Sequence, residues 1–189
     1  MISFKQFLNE MPLRISDHTK DDNQIGPSDH KELHPAFKGS PNYKKISSIK
    51  GLDIWHDRPN GRFNVVDKEG NTKMALDGAF DREEGRKHFS INDLRGHPSS
   101  PVKAHEFYHH LITQHGIILH GSSEQSDGGM KVWKKLSENP DIHVSHLDAH
   151  NEEIPLHRGD DFEKNYSTYM DHRSLSGMSH THFMARKKS

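Results

Sequence analysis

The chain has no cysteine, and this absence excludes disulfide bonds and thiolate metal sites. Long apolar runs are missing as well: 30% of the residues are hydrophobic, and no stretch approaches the roughly 18 residues of a membrane span. The formal net charge of -1 provides no bulk attraction to nucleic acid or to an anionic membrane. We therefore expect a compact domain with polar segments outside it, without a membrane partner or a specific nucleic-acid partner.

Histidine is what the sequence has in excess, with 18 residues among 189. The excess makes the net charge sensitive to acidification between about pH 7 and pH 5. It also produces chance motifs: an HExxH match somewhere in a chain of this composition has a probability of roughly one in ten. A histidine motif in this sequence therefore needs support from geometry.

The composition divides the chain into three segments. Residues 1–11 place Phe4, Phe7 and Leu8 at helical spacing and form a leader-like amphipathic segment. Residues 12–47 are polar, show little periodicity and are predicted to form an arm. Residues 48–189 are predicted to form one folded domain.

The sequence of residues 48–189 predicts an α/β (α+β) fold, with a mixed, mostly antiparallel sheet and helices packed on it. Four segments separated by turns predict an antiparallel meander: LDIWHD, RFNVVD, TKMALDGAF and KHFSINDL. A helix between Pro101 and Gly116, the short buried strand GIILHG and a second helix capped by Ser126 or Asp127 follow. IHVSHL and THFMARKK predict the last strands, and residues 148–176 give no clear pattern.

The first helix contains HEFYH, which fits the HExxH pattern of zinc peptidases. His105 and His109 would lie one turn apart as ligands, and Glu106 would be the general base acting on a metal-bound water. His115 stands at the spacing of the third ligand in metzincins. That pattern has a glycine where this chain has Ile112, so the helix is expected to continue and to turn His115 away from the other two.

A half-buried helix with surface histidines explains the same residues without a metal. The apolar stripe of this helix consists of Ala104, Phe107, Tyr108, Leu111 and Ile112. The opposite polar face consists of Lys103, Glu106, His110, Thr113 and Gln114. We therefore expect no bound metal and keep the zinc peptidase as an alternative.

The segment GIILHGSSEQSDGGMKVWKKL resembles a segment of phage-encoded members of the GNAT acetyltransferase superfamily. In that family a buried strand leads into a Ser/Gln and Gly-Gly loop and then into a helix carrying Trp and Leu. The matching positions here are Ile117–Leu119, Gln125, Ser126, Gly128, Gly129, Trp133 and Leu136. His97 and Pro98 resemble the end of the family's fourth strand, and the resemblance covers about residues 51–147.

The resemblance implies a GNAT-like fold that binds acetyl-CoA. In the family, the fourth strand and the next helix diverge to admit the pantetheine arm, and the N-terminus of that helix binds the pyrophosphate. The implied cofactor-binding residues are Ile91, Asn92, Val102, Lys103 and Ala104. The family's Gln/Arg-x-x-Gly-x-Gly/Ala loop falls on residues 99–104, where only Ala104 matches and Pro101 lacks an amide hydrogen.

The resemblance also implies an N-acyltransferase acting on a host or phage amine, since the family transfers acetyl groups to amines. The family needs no fixed catalytic residue, and the candidates here are Glu106, Tyr108 and His120, with His88 nearby. A second interpretation is a non-catalytic, head-packaged or host-directed binding protein on the same fold.

The first ten residues, MISFKQFLNE, resemble the capsid-targeting leaders of internal head proteins in T-even-like bacteriophages. Those leaders share the pattern of Phe4, Phe7, Leu8 and Glu10, and a prohead protease cuts after such a Leu-x-Glu site. The resemblance implies capsid or scaffold proteins as partners of residues 1–10, and a location in the virion head or the infected host cytoplasm. A short N-terminal helix is the simpler interpretation.

Overall fold

The computed structural model describes six stretches of the chain: residues 42–57, 61–81, 87–121, 125–147, 153–155 and 182–188. These stretches form a mixed nine-stranded sheet and two helices, so the fold is α+β, as predicted. None of the helices in these stretches is long and apolar enough to span a membrane. The predicted leader, residues 1–11, and most of the predicted arm lie outside the described residues.

The sheet has the strand order β1-β2-β3-β4-β5-β6-β9-β7-β8. The strands are β1 Tyr43–Ile49, β2 Leu52–Asp57, β3 Arg62–Val66, β4 Thr72–Phe80, β5 His88–Gly96, β6 Ile118–His120, β7 Ile142–Leu147, β8 Glu153–Pro155 and β9 His182–Lys187. The helices are α1 Ala104–His115 and α2 Asp127–Ser137.

Strands β1 to β5 form an antiparallel meander, which confirms the meander predicted for β2 to β5. Strand β1 was not predicted: it begins at Tyr43, inside the segment assigned to the arm at residues 12–47. Its sequence YKKISSI has only two aliphatic side chains and a register shift between Lys45 and Ser47, so the alternation that marks a strand is interrupted.

The second half of the sheet is built around the β5–α1–β6 unit, in which the two strands are parallel. Helix α1 ends at Gly116, whose φ of 62° is left-handed, and the Ser126 side chain caps α2 by accepting from the Gly129 amide at 3.1 Å. Strand β9 then inserts between β6 and β7. The short strand β8 lies in the segment that gave no pattern, because three residues are too few to show periodicity.

The core lies between the helices and one face of the sheet. Trp133 of α2 stacks on Phe183 of β9 with ring centroids 5.3 Å apart, and its Nε1 donates to Gln125 Oε1 at 2.9 Å. A Cβ on Gly121 would lie 2.8 Å from the Trp133 ring, so the chain leaving β6 fits under the indole only as glycine. This packing fixes where β6 ends.

Candidate functional site where the β5–β6 pairing ends

All three residues of β6 pair with the beginning of β5, and β5 continues beyond the end of β6. Their register consists of His88–Ile118, Phe89–Leu119 and Ser90–His120, whereas β5 continues to Gly96. Among the described residues, no strand pairs with the β6 side of β5 beyond Ser90. Open sheets bind ligands at the carboxyl ends of their parallel strands, so the unpaired edge of β5 beyond the end of β6 is the candidate site.

A β-bulge interrupts β5 just after the last residue that pairs with β6. The register with β4 steps from Asp77–Asp93 to Gly78–Ile91, so Asn92 is the extra residue. Gly78 allows the bulge, because a Cβ there would lie 2.2 Å from the carbonyl oxygen of Ser90. Ile91 and Asn92, both predicted to bind cofactor, therefore lie at the mouth of the site.

The other three predicted cofactor residues lie at the start of α1, where an internal carboxylate occupies the helix N-terminus. Val102 is buried, and Lys103 is the N-cap before Ala104. The Lys103 amide donates to Glu106 Oε2 at 2.9 Å, and Lys50 Nζ lies 2.7 Å from both carboxylate oxygens. These bonds, the Lys103 amide first, lower the pKa of Glu106.

Tyr108, a predicted catalytic residue, is packed inside the core. Its ring centroid lies 6.0 Å from that of Trp133, and its side chain is buried. Burial raises the pKa of Tyr108, and the charge of Asp93 on β5 raises it further. The phenol therefore keeps its proton at neutral pH.

His120, the third predicted catalytic residue, is the centre of a row of three histidines (His88, His120 and His182, named the histidine row). His88 Nδ1 lies 2.7 Å from His120 Nε2, and His120 Nδ1 lies 3.1 Å from His182 Nε2. Sequence reasoning did not single out His182. The alternation of β9 could have placed it on the same face as Met184, but not beside His120.

The histidine row lies on the face of the sheet turned away from the helices. Leu119 and Phe183 are buried on the helix side, and successive side chains of a strand point to opposite faces. Burial lowers the pKa of His120 to about 4, and the neighbouring histidines act in the same direction. The ring of His120 is therefore neutral at pH 7.

The HEFYH residues line a separate cleft of about 340 Å³ between α1, α2 and the end of β1. Its lining consists of Ile49, Lys50, His105, Glu106, His109, His110, Lys135, Leu136 and Asn139. The lysines are already paired: Lys50 with Glu106, and Lys135 with Glu138 at 2.7 Å. The cleft therefore offers little uncompensated positive charge to an anion.

His115 is held away from that cleft by a contact with β1. Its Nε2 lies 2.9 Å from Ser47 Oγ, which also contacts His110 Nε2 at 3.0 Å. The described part of the chain contains no group of three or more side chains that could hold a metal ion. The geometry thus does not bring His115 to His105 and His109 as a zinc peptidase would require.

Comparisons with protein-family models, with curated proteins and with solved structures find no match for this chain.

Proposed function

We propose that the protein is a GNAT-like acyltransferase, or a degenerate relative of one, that takes an acyl group from an acyl-CoA and transfers it to an amine. The observation that carries the proposal is the early end of the β5–β6 pairing at Ser90 and His120. The GNAT-like resemblance requires such an opening for the pantetheine arm, and a sheet fully paired at this place would leave no room for it.

The opening suits an extended chain that carries amides. Pantetheine contains two amide groups, and the backbone of Ile91–Gly96 faces the opening without a described partner strand on that side. An amide-bearing arm can add to such an edge as a further strand does, through main-chain hydrogen bonds. The bulge at Asn92 turns backbone groups out of the β4 ladder at the same place.

The side chains around the opening support acyl transfer. The amine nitrogen attacks the thioester carbonyl, a C–N bond forms and the C–S bond breaks. Neutral His120, at the end of β6, is in the protonation state of a base for the proton that the amine loses. Tyr108 is buried in the core beside Trp133, so the departing thiolate takes its proton from water and not from this phenol.

Glu106 favours a second function on the same fold, a non-catalytic binding protein. Its carboxylate accepts the Lys103 amide and so weakens the anion site at the start of α1. A protein with this helix N-terminus gains little from the phosphates of CoA. The resemblance of residues 1–10 to capsid-targeting leaders supports a head-packaged or host-directed role in a phage, and these residues lie outside the described part of the chain.

A titration that compares acetyl-CoA with acetyl-pantetheine tests the proposal. We expect both to shift the amide resonances of residues 91–93, with similar affinity, because the phosphates contribute little. Asn92→Trp should block both, whereas Lys44→Trp, at another exposed strand position, should not. Absence of any shift at millimolar acetyl-pantetheine would exclude an acyltransferase and favour the binding protein.

Activity is tested separately by release of CoA thiol from acetyl-CoA in the presence of a panel of primary amines. An acyltransferase shows amine-dependent release that Asn92→Trp abolishes. Binding without release for any amine in the panel would indicate the non-catalytic alternative.

A further inference from the structure

The histidine row connects the adjacent strands β5, β6 and β9, and the middle strand, β6, is short. Strand β6 has three residues, and it pairs with β9 at Leu119–Ala185 and His120–Met184 only. Two further backbone bonds hold its ends, from the Ile118 amide to Lys87 O at 2.9 Å and from the Gly121 amide to Phe183 O at 2.8 Å. The ring–ring hydrogen bonds of His120 therefore add, on the polar face, to the short backbone pairing that holds β6 between β5 and β9.

The row can accommodate one added proton but not two. A neutral imidazole has one donor and one acceptor nitrogen, so the neutral row is satisfied when all three tautomers point the same way. If His120 takes up a proton, both its nitrogens donate, and His88 Nδ1 and His182 Nε2 can both accept. A second proton on either bonded nitrogen removes an acceptor and places two cations side by side.

The surroundings of His120 oppose its protonation on balance. Burial is the largest cause of its lowered pKa, and His182 of β9 and His88 of β5 add to it, whereas Asp81, after β4, acts in the opposite direction. The row is also not arranged as a chelate, because His120 presents opposite ring nitrogens to its two neighbours. Three imidazoles bound to one zinc ion would have to converge on a single point.

We propose that the histidine row is a pH-sensitive latch, which at neutral pH holds β6 between β5 and β9 and which on acidification releases β6 and widens the opening beside β5. The ligand of this site is the proton. The latch shares His120 with the proposed acyl transfer, but it is argued from the ring contacts of His88, His120 and His182, and its test needs no acyl-CoA.

Amide hydrogen exchange of the full-length chain, measured from pH 7.5 to pH 4, tests the latch. The Ile118 and Gly121 amides report on β6, and the His97 amide, which donates to Lys73 O at 2.9 Å, is the reference on the β4–β5 side. We expect the protection of Ile118 and Gly121, corrected for intrinsic exchange, to fall roughly tenfold per pH unit for each proton taken up. The protection of His97 should persist over the same range.

Two variants separate the latch from other histidines. His120→Gln keeps a donor and an acceptor but does not titrate, so the pH dependence of the protection of β6 should become weaker, although His88 and His182 still titrate. His110→Gln removes a titrating ring at Ser47 instead and should behave as the wild type. Equal pH dependence in the wild type and His120→Gln would overturn the proposal.

The ring resonances of His120 in the wild-type chain give a second measurement that does not depend on how a variant folds. A pKa well below that of an ordinary histidine supports the latch, and an ordinary value overturns it. Zinc chloride is added as a final probe: stoichiometric zinc binding that protects β6 at low pH and is lost in His120→Gln would show a metal site in place of the latch.

Discussion

The backbone amide of Lys103 donates to the carboxylate of Glu106 at 2.9 Å, so the first turn of α1 carries its own anion. Free amides at a helix N-terminus attract phosphate through their hydrogens and the helix dipole. Here Glu106 takes up part of this attraction, and Lys50 neutralises the carboxylate from the side. The Lys103–Glu106 contact is therefore expected to weaken the attraction of this helix N-terminus for phosphate.

We therefore expect acetyl-CoA to bind with a dissociation constant of tens of micromolar or weaker, a binding free energy of roughly -7 kcal/mol or less in magnitude. Glu106→Gln should tighten binding a few-fold, because a charge at a helix N-terminus contributes about 0.3–1 kcal/mol. Glu138→Gln, at the far end of α2, is the control and should change nothing. Calorimetric titration measures all three proteins, and sub-micromolar binding by the wild type would contradict the expectation.

Purified protein made without a histidine tag is expected to hold no stoichiometric zinc. The reason is that Ser47 holds His115 on β1, while His105 and His109 line the cleft between the helices. Elemental analysis measures the zinc content directly. About one tightly bound zinc per chain, lost in a His105→Ala and His109→Ala double variant, would restore the peptidase interpretation.

Most of the described fold could be predicted from local sequence patterns. The alternation of β2 to β5 and the caps at Gly116 and Ser126 are signals carried within a few residues. Strands β1 and β8 could not be predicted in this way, because β1 is interrupted by a bulge and β8 has three residues. Their pairing depends on neighbours distant in sequence.

The site was predicted as a set of residues but not as an arrangement. Ile91 and Asn92 lie at the bulge of β5, Tyr108 is in the core and Glu106 caps its own helix. The helical periodicity of α1 predicted that Tyr108 is buried. The contact between Glu106 and Lys50 could not be predicted, because the two residues are 56 positions apart in the chain. Contacts over such separations leave no local pattern in the sequence.

Gly121→Ala is expected to destabilise the protein by about 1–3 kcal/mol, because the new Cβ would lie 2.8 Å from the Trp133 ring in a packed core. Gly128→Ala provides a control of opposite sign. Gly128 is exposed in α2, its Cβ would be 3.7 Å from Ser126 Oγ, and alanine favours a helix by up to about 1 kcal/mol. Urea unfolding of both variants measures the difference, and equal stabilities would contradict the packing.

Deletion of residues 1–10 is expected to change the melting temperature little, if these residues form a targeting leader separate from the domain. Burial of Phe4, Phe7 and Leu8 in the core would instead contribute roughly 1.5–3 kcal/mol each, and their loss would be obvious in a melting curve. In a virion the mature chain should begin at Met11, which mass spectrometry of purified particles can establish. An intact Met1 terminus, or absence of the protein from the head, would contradict packaging.

The stability of the protein should fall as the pH drops below about 6.5, because His110 and His115 are partly buried where they pack beside Ser47. Burial lowers the pKa of both rings, and the charge of Lys87 lowers that of His115 further. A histidine with a lowered pKa binds fewer protons in the folded chain than in the unfolded chain, so the folded state is favoured at higher pH and loses stability as the pH falls.

A His110→Gln and His115→Gln double variant should reduce this acid limb, that is, the fall in the free energy of unfolding below about pH 6.5. Urea unfolding at a series of pH values measures it. The change should stay below about 1 kcal/mol, because both rings are partly exposed and solvent screens their charges. Ser47→Ala serves as the control: it removes the shared hydroxyl but leaves both rings able to titrate, so the acid limb should remain. An acid limb of unchanged slope in the double variant would assign the sensitivity to other histidines, with His120 first among them, since its pKa is lowered to about 4.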